Sequence, residues 1–362
     1  MILALTLPRL VFGAGCRDRL PAECDLLGIS RPLLISDRGL EGAGVTAMLG
    51  QGYPRFLDVP ENPTAAGVDL AVAAWRAAGC DGIIALGGGS VLDTAKLVAA
   101  LAFAHIDADA LIGRPDLIGA RLAPLIAIPT TIGTGSESSP VAALHRTPSG
   151  PPLGTRSHLL VPCTALCDPD LARSLPAHLI AATGIDALSH CIEGFFAEPA
   201  HPMIDALALD GIRRVFAGLA AAMAPAGNAA RLSLMAAAFA GGVAIHKGLG
   251  PAHAFALACG DQHVHHGTLV GIALPHTTRL LARHLPEKAA QITALIGADD
   301  ICDALEALVV RLGLPTTLTG AGYRPGDLEA LVTDLVASPF NRTSPYVPTD
   351  DEYRAVAHRI MA

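Results

Sequence analysis

The chain has 362 residues, 51% of them hydrophobic and 16% charged, with a formal net charge of -8 and a pI near 5.9. That balance excludes a disordered chain, and the length exceeds one compact core, so two domains are expected. An acidic chain with no Lys/Arg run argues against nucleic acid or an anionic membrane as partner.

A mean hydropathy of +0.46 raises the question of a membrane span. The most suspicious apolar run, LMAAAFAGGVAI at 234–245, is 12 residues long. A span needs roughly 20, so buried helices rich in alanine and glycine are expected instead. The start, MILALTLPRLVFGAG, has no basic segment and meets Pro8 and Arg9 at once; it reads as a first strand rather than a signal peptide. The eight cysteines contain no CxxC pair. They fit reduced, mostly buried thiols in a cytoplasmic protein, not a disulfide scaffold or a cysteine zinc site.

From the N-terminus, strand-like runs alternate with helical ones. RPLLISD (31–37) and YPRFLDV (53–59) are followed by the helical VDLAVAAWRAAG (68–79), which stops at a glycine. DGIIAL (81–86), VLDTAKLVAALAF (91–103), PLIAIP (124–129) and TALCD (164–168) continue the alternation. This pattern predicts a mostly parallel sheet with helices on both faces. After DPDLARSLP the character changes. MIDALALDGIRRVFAGLAAAM (203–223), NAARLSLMAAAFAGGVAIH (228–246), DLEALVTDLVA (327–337) and DEYRAVAHRIM (351–361) are helical, and no convincing strand interrupts them. The expected organisation is a Rossmann-like α/β dinucleotide-binding domain over 1–172 and an all-helical metal- and substrate-binding domain over 173–362.

LGGGSVLDTAK (86–96) follows a strand and opens a helix. Consecutive glycines let backbone approach a ligand, and a helix N-terminus offers free N–H groups and positive potential. The run reads as a pyrophosphate loop or as a plain tight turn, and the GxGxxG fingerprint is absent. A second loop, IPTTIGTGSES (128–138), is rich in hydroxyls and glycine and is either a cofactor loop or a polar turn. Asp37, at the end of a strand, is placed either to accept from a ribose 2′-hydroxyl, which favours NAD over NADP, or to cap a helix.

GIDALSHCIEGFF (184–196) puts Asp186 and His190 four apart, on one face of a helix. They are either two metal ligands or an ordinary polar pair. GLGPAHAFALACGDQHVHHGTLVGIALPH (248–276) adds His253, His263, His265, His266 and His276. One aspartate with three of these histidines makes a site suited to Zn²⁺ or Fe²⁺, acting as a Lewis acid on an alcohol or carbonyl oxygen.

Taken in order, GGGSVLDTAK, IPTTIGTGSE, GIDALSHCIEG and HHGTLVGIALPH resemble the iron-containing (group III) alcohol dehydrogenases over essentially the whole chain. The resemblance implies a nucleotide-binding α/β domain followed by a helical metal-binding domain. It implies hydride transfer between NAD(H) or NADP(H) and a small alcohol or aldehyde, hydroxy acid or semialdehyde, with Fe²⁺ or Zn²⁺. Carried over by position, the metal ligands are Asp186, His190, His253 and His266. The interval from 253 to 266 is one residue shorter than the family's, which keeps His263 and His265 as alternatives for the fourth place. Gly87, Gly88, Gly89, Ser90 and Asp93 resemble the pyrophosphate loop, and Thr130, Thr131 and Thr134 the nicotinamide-side loop. Asp37 and Asn62 fall at the ribose and adenosine positions. The family also sets the expectation of a homodimer or larger homo-oligomer.

Two positions depart from the family. Leu257 replaces a histidine one turn after His253 that can relay a proton, leaving water, ribose hydroxyls or a spare histidine such as His276 or His263. A cofactor-contacting lysine is missing from PPLGTRSHLLVP (151–162), where Leu153 takes its place with Arg156 nearby. Two related chemistries stand as alternatives. SPFNRTSPYVPT (338–349) resembles maleylacetate reductases, and a dehydroquinate-synthase-like lyase shares the architecture but needs a basic cleft of which only Lys247 and Arg279 are candidates.

Overall fold

The computed structural model describes residues 3–148, 150–224, 227–324 and 326–361. It divides into two compact units. One comprises Leu5–Thr131 and Gly135–Leu175; the other comprises the residues from Pro176 onward together with Ile132–Thr134 and the N-terminal residues before Leu5.

The first unit contains β1 (Arg9–Phe12), α1 (Leu20–Leu27), β2 (Pro32–Ile35), α2 (Arg38–Gly42), β3 (Arg55–Phe56), α3 (Ala65–Ala77), β4 (Gly82–Gly87), α4 (Gly89–Leu101), α5 (Ala108–Leu111), β5 (Leu125–Pro129), β6 (Val141–His145), β7 (Pro152–Arg156) and β8 (Thr164–Cys167). Six strands form one parallel sheet in the order β1-β8-β5-β4-β2-β3. Its central strands are apolar at every position because both faces are covered. Side chains alternate between the faces. Leu33, Ile35, Ile83, Ala85, Leu125 and Ala127 enter the core that includes α3 and α4. Leu34, Ile84, Leu86, Ile126, Ile128 and Leu166 enter the opposite core with α1. From β2 the chain adds β3 on one side, then returns to lay β4, β5 and β8 on the other. The direction reverses between β2 and β4, and such a reversal is where open parallel sheets bind ligands, at the strands' carboxyl ends.

The sequence gives no sign of the antiparallel pair β6–β7, which occupies part of the stretch lacking a lysine. Short strands of mixed polarity carry no usable periodicity. Buried polar contacts from α4 hold this pair. Lys96 Nζ donates to the carbonyls of Ser139 and Val141 at 3.1 and 2.7 Å, and Asp93 accepts from Ala143 N at 2.9 Å.

The regular elements among the second unit's described residues are helices: α6 (Ala177–Phe196), α7 (Pro202–Ala222), α8 (Asn228–Ala244), α9 (Pro251–Ala258), α10 (His266–His284), α11 (Pro286–Ile296), α12 (Ile301–Arg311), α13 (Leu328–Ala337) and α14 (Asp350–Met361). The run 234–245 forms the second half of α8 and its C-cap Ile245, and it is largely buried. Among the described residues, only α6 is long and apolar enough to cross a membrane, and it is buried on almost every side. A helix apolar all round is the core of its own domain when its neighbours cover it.

Candidate functional site

The core helix α6 carries Asp186 and His190, both buried, with His190 Nε2 3.6 Å from Asp186 Oδ1. α9 brings His253 to the same oxygen, its Nε2 at 3.8 Å, and α10 brings His266 Nε2 to 3.8 Å. One donor atom each from Asp186, His253 and His266 fall within 4.8 Å of one another. The His190 and His253 rings stack with centroids 4.9 Å apart, and those of His253 and His266 are 5.4 Å apart. All four residues expected as ligands therefore converge. His265 instead caps α10, its Nδ1 accepting from Gly267 N at 3.2 Å. His263 stands in the connecting loop with a left-handed backbone, φ 58°.

Asp186 Oδ1 and His253 Nε2 are buried with no hydrogen-bond partner among the described residues. Buried polar atoms without partners are costly and uncommon, and two aimed at one point fit a cation that takes their lone pairs. A carboxylate with three imidazoles is a donor set for Zn²⁺ or Fe²⁺. Burial pushes the Asp186 carboxyl up to about 7, with His253 opposing and Glu193 reinforcing the rise. Burial also holds His190 well below the usual imidazole range, with His253 and His266 adding to the effect and a backbone hydrogen bond at Gly133 opposing it. The His266 side chain is 47% exposed, whereas Asp186, His190 and His253 are closed in. The cluster thus opens to solvent past His266.

Sequence reasoning missed Glu193 and Phe340. Glu193 Oε2 lies 2.6 Å from His253 Nδ1, and its other oxygen accepts from Ala252 N at 2.7 Å. The one hint in the stretch that carries the pair is spacing: positions 186, 190 and 193 share one helix stripe. Phe340 sets its ring edge toward His253 at 5.7 Å between centroids, and the neighbouring Asn341 accepts from the Tyr353 hydroxyl at 2.6 Å.

His276 is not brought to the cluster. It lies ten residues along α10 from His266, a rise of about 15 Å. Burial lowers its pKa, and its charged neighbours are Glu306, Arg359 and Arg279.

The residues expected to bind a dinucleotide gather at the carboxyl ends of the parallel strands. Asp37 follows β2; Gly87, Gly88, Gly89 and Ser90 lead from β4 into α4; Thr130 and Thr131 follow β5. Gly88 caps α4 with no side chain, and a Cβ there would lie 3.0 Å from Thr131 Cγ2. The Thr131 hydroxyl is buried beside it without a partner among the described residues. Ser90 Oγ donates to the Glu61 carbonyl, fixing the segment that carries Asn62. Asp37 caps α2, with Oδ1 accepting from Leu40 N at 2.8 Å. Asp93 holds structure rather than an open position, since Ser136 Oγ and Ala143 N engage its two oxygens. Thr134 belongs to the short segment that joins the helical unit.

Residues 8–169 match the iron-containing alcohol dehydrogenases, and residues 180–361 match the C-terminal domain of the Fe-containing alcohol dehydrogenase family. The chain belongs to this family. It is 37% identical to a 4-hydroxybutyrate dehydrogenase of Cupriavidus necator, over 99% of each chain. Among solved structures, a 1,3-propanediol oxidoreductase superposes with a TM-score of 0.94 at 27% identity, covering all of both chains. A sulfoacetaldehyde reductase from Bifidobacterium kashiwanohense in complex with NAD⁺ gives 0.91 at 27% identity, covering 100% of this chain and 99% of that one.

Membership makes the chain an NAD-dependent oxidoreductase of the iron-containing alcohol dehydrogenase class, moving a hydride between NAD(H) and a small alcohol or aldehyde.

Proposed function

We propose that this dehydrogenase interconverts a small ω-hydroxy acid of the 4-hydroxybutyrate class and its semialdehyde, using NAD, with Asp186, His190, His253 and His266 holding one Fe²⁺ or Zn²⁺. The observation that carries the metal assignment is the buried Asp186 Oδ1, without a hydrogen bond and with three imidazole nitrogens 3.6–3.8 Å away. The substrate class is supported by the identity over nearly full length to the Cupriavidus necator protein.

When bound, the dication supplies a Lewis acid that favours the alkoxide form of the alcohol and polarises the carbonyl in the reverse direction. The chain's own residues do the rest. The α4 N-terminus and its glycines receive the pyrophosphate through backbone N–H groups and the helix dipole. The second oxygen of Asp37 accepts from a ribose hydroxyl and repels a 2′-phosphate, which favours NAD over NADP. Leu257, one turn after His253 on α9, carries no proton. His276 is too far along α10 to do so, and the alcohol proton passes to water on the exposed His266 side. We also place the enzyme in the cytoplasm, as a homodimer or larger homo-oligomer. Its eight free thiols suit a reducing compartment.

Steady-state rates with 4-hydroxybutyrate, 1,3-propanediol and ethanol, each with NAD and NADP, test the substrate assignment. The reading expects the highest kcat/KM for the hydroxy acid with NAD. A preference for the uncharged diol overturns the substrate class, and a preference for NADP overturns the role given to Asp37.

A further inference from the structure

We infer that Glu193 is a positioning residue: it holds the proton of His253 on Nδ1 and thereby keeps the Nε2 lone pair aimed at Asp186. The inference rests on the metal assignment above and deepens it. Glu193 is buried on α6 and both its oxygens are engaged. Oε1 accepts from Ala252 N at 2.7 Å, and Oε2 meets His253 Nδ1 at 2.6 Å.

A carboxylate that already accepts from Ala252 N through Oε1 and stands 2.6 Å from the ring through Oε2 is placed to accept again, so the imidazole facing it donates from Nδ1. In the neutral form, the one that can bind a metal, the same ring presents a bare Nε2 on the opposite edge, the atom 3.8 Å from Asp186 Oδ1 that has no hydrogen-bond partner among the described residues. The Ala252 contact fixes which way the carboxylate lies. Gly250 leaves room for it, since a Cβ there would fall 3.0 Å from Oε1. The Phe340 ring edge closes another side of His253. A carboxylate on the far nitrogen of a metal-binding histidine fixes its tautomer and orientation, and losing such a partner lowers metal affinity about 10–100-fold.

Glu193→Gln separates this role from a merely structural one. The glutamine keeps the shape, and its carbonyl oxygen can still accept from Ala252 N. Its amide then faces His253 Nδ1 as a donor. That nitrogen must accept, the proton moves to Nε2, and the lone pair is lost to the metal.

Two measurements test this. The first is zinc affinity of metal-free wild type and Glu193→Gln, by competition with a chromophoric chelator, alongside the thermal midpoint of each metal-free chain. The second is the protonation of the His253 ring nitrogens, by ¹⁵N NMR of metal-free, histidine-labelled protein between pH 6 and 9.5, assigned by the signal missing from His253→Ala. The expected result is a proton on Nδ1 of wild-type His253 throughout that range, and about 10–100-fold weaker zinc binding in a variant that still folds. Zinc binding unchanged in Glu193→Gln, or a neutral wild-type ring with bare Nδ1, overturns the inference. The wild-type NMR result decides even if the variant fails to fold. A wild type that binds neither zinc nor iron overturns the metal assignment instead, and the ring measurement still tests Glu193 separately.

Discussion

Gly267, in the first turn of α10, lies against the Ala182 carbonyl of α6 so closely that a Cβ at 267 would sit 2.2 Å from that oxygen and 3.3 Å from Asp186 Cβ. This approach sets the distance between the helix that carries Asp186 and the one that begins at His266. Gly267→Ala must push the two helices apart, because the obstacle is backbone and cannot turn aside. We expect a loss of about 1–3 kcal/mol in stability, the usual effect of overpacking a close contact. Metal content should fall with it. Denaturant unfolding and elemental analysis check both, and a variant with unchanged stability and metal content contradicts the tight-approach reading.

Asp37 has two duties in this account. Its Oδ1 caps α2 through Leu40 N, and its other oxygen is proposed to meet the cofactor ribose. Asp37→Ala should therefore cost about 0.5–2 kcal/mol as a lost cap. It should also raise KM for NAD while leaving KM for NADP equal or lower. Asp37→Ser keeps capping ability, so it should recover the stability but not the preference for NAD. Equal cofactor preference in wild type and both variants removes Asp37 from the cofactor site.

Glu137, buried in the loop after β5, gives the first unit a pH dependence. Burial pushes its carboxyl up to about 7, with its own backbone N–H and the Lys96 charge pulling the other way. The folded pKa lies above the unfolded value near 4.5, so between these pH values the folded chain binds more protons than the unfolded one. The stability this group contributes is full below about 4.5 and is lost as pH rises through about 7. The swing is on the order of 3 kcal/mol. Glu137→Gln stays neutral and should gain on wild type as pH is raised from 5 to 8. Denaturation midpoints of both proteins in chelator, at the two pH values, measure this. A difference between them that does not change with pH contradicts it.

How much was legible in the sequence depended on the kind of contact. The helices α3, α4, α7, α8, α13 and α14 show as hydrophobic periodicity, because each buries a stripe, and the central strands show as short continuous apolar runs, because both their faces are buried. Asp186 and His190 show because four residues make one helical turn. Glu193 shared their stripe, yet a lone glutamate in an apolar helix has no sequence mark to distinguish it from a surface residue. Its role depends on α9 lying beside it. His266 could not be separated from His263 and His265 by spacing alone. The start of α10 separates them, since His265 becomes its cap and His266 its first residue. His276 looked like part of the cluster in sequence, but the rise of α10 carries it away. The β6–β7 pair and the buried Lys96 that anchors it depend on contacts some 43–45 residues apart along the chain, which no local pattern reports.

The most direct test of the account is metal content by elemental analysis of wild type and His253→Ala, with NADH formation from 4-hydroxybutyrate measured on the same samples. If the cluster is a metal site, the wild-type chain holds about one iron or zinc, as one Asp/three-His set provides, and a variant that remains folded loses both metal and turnover. Wild-type protein that turns over the substrate while holding no metal, with the variant equally active, would contradict it: Asp186, His190, His253 and His266 would then be a buried polar cluster and not a metal site.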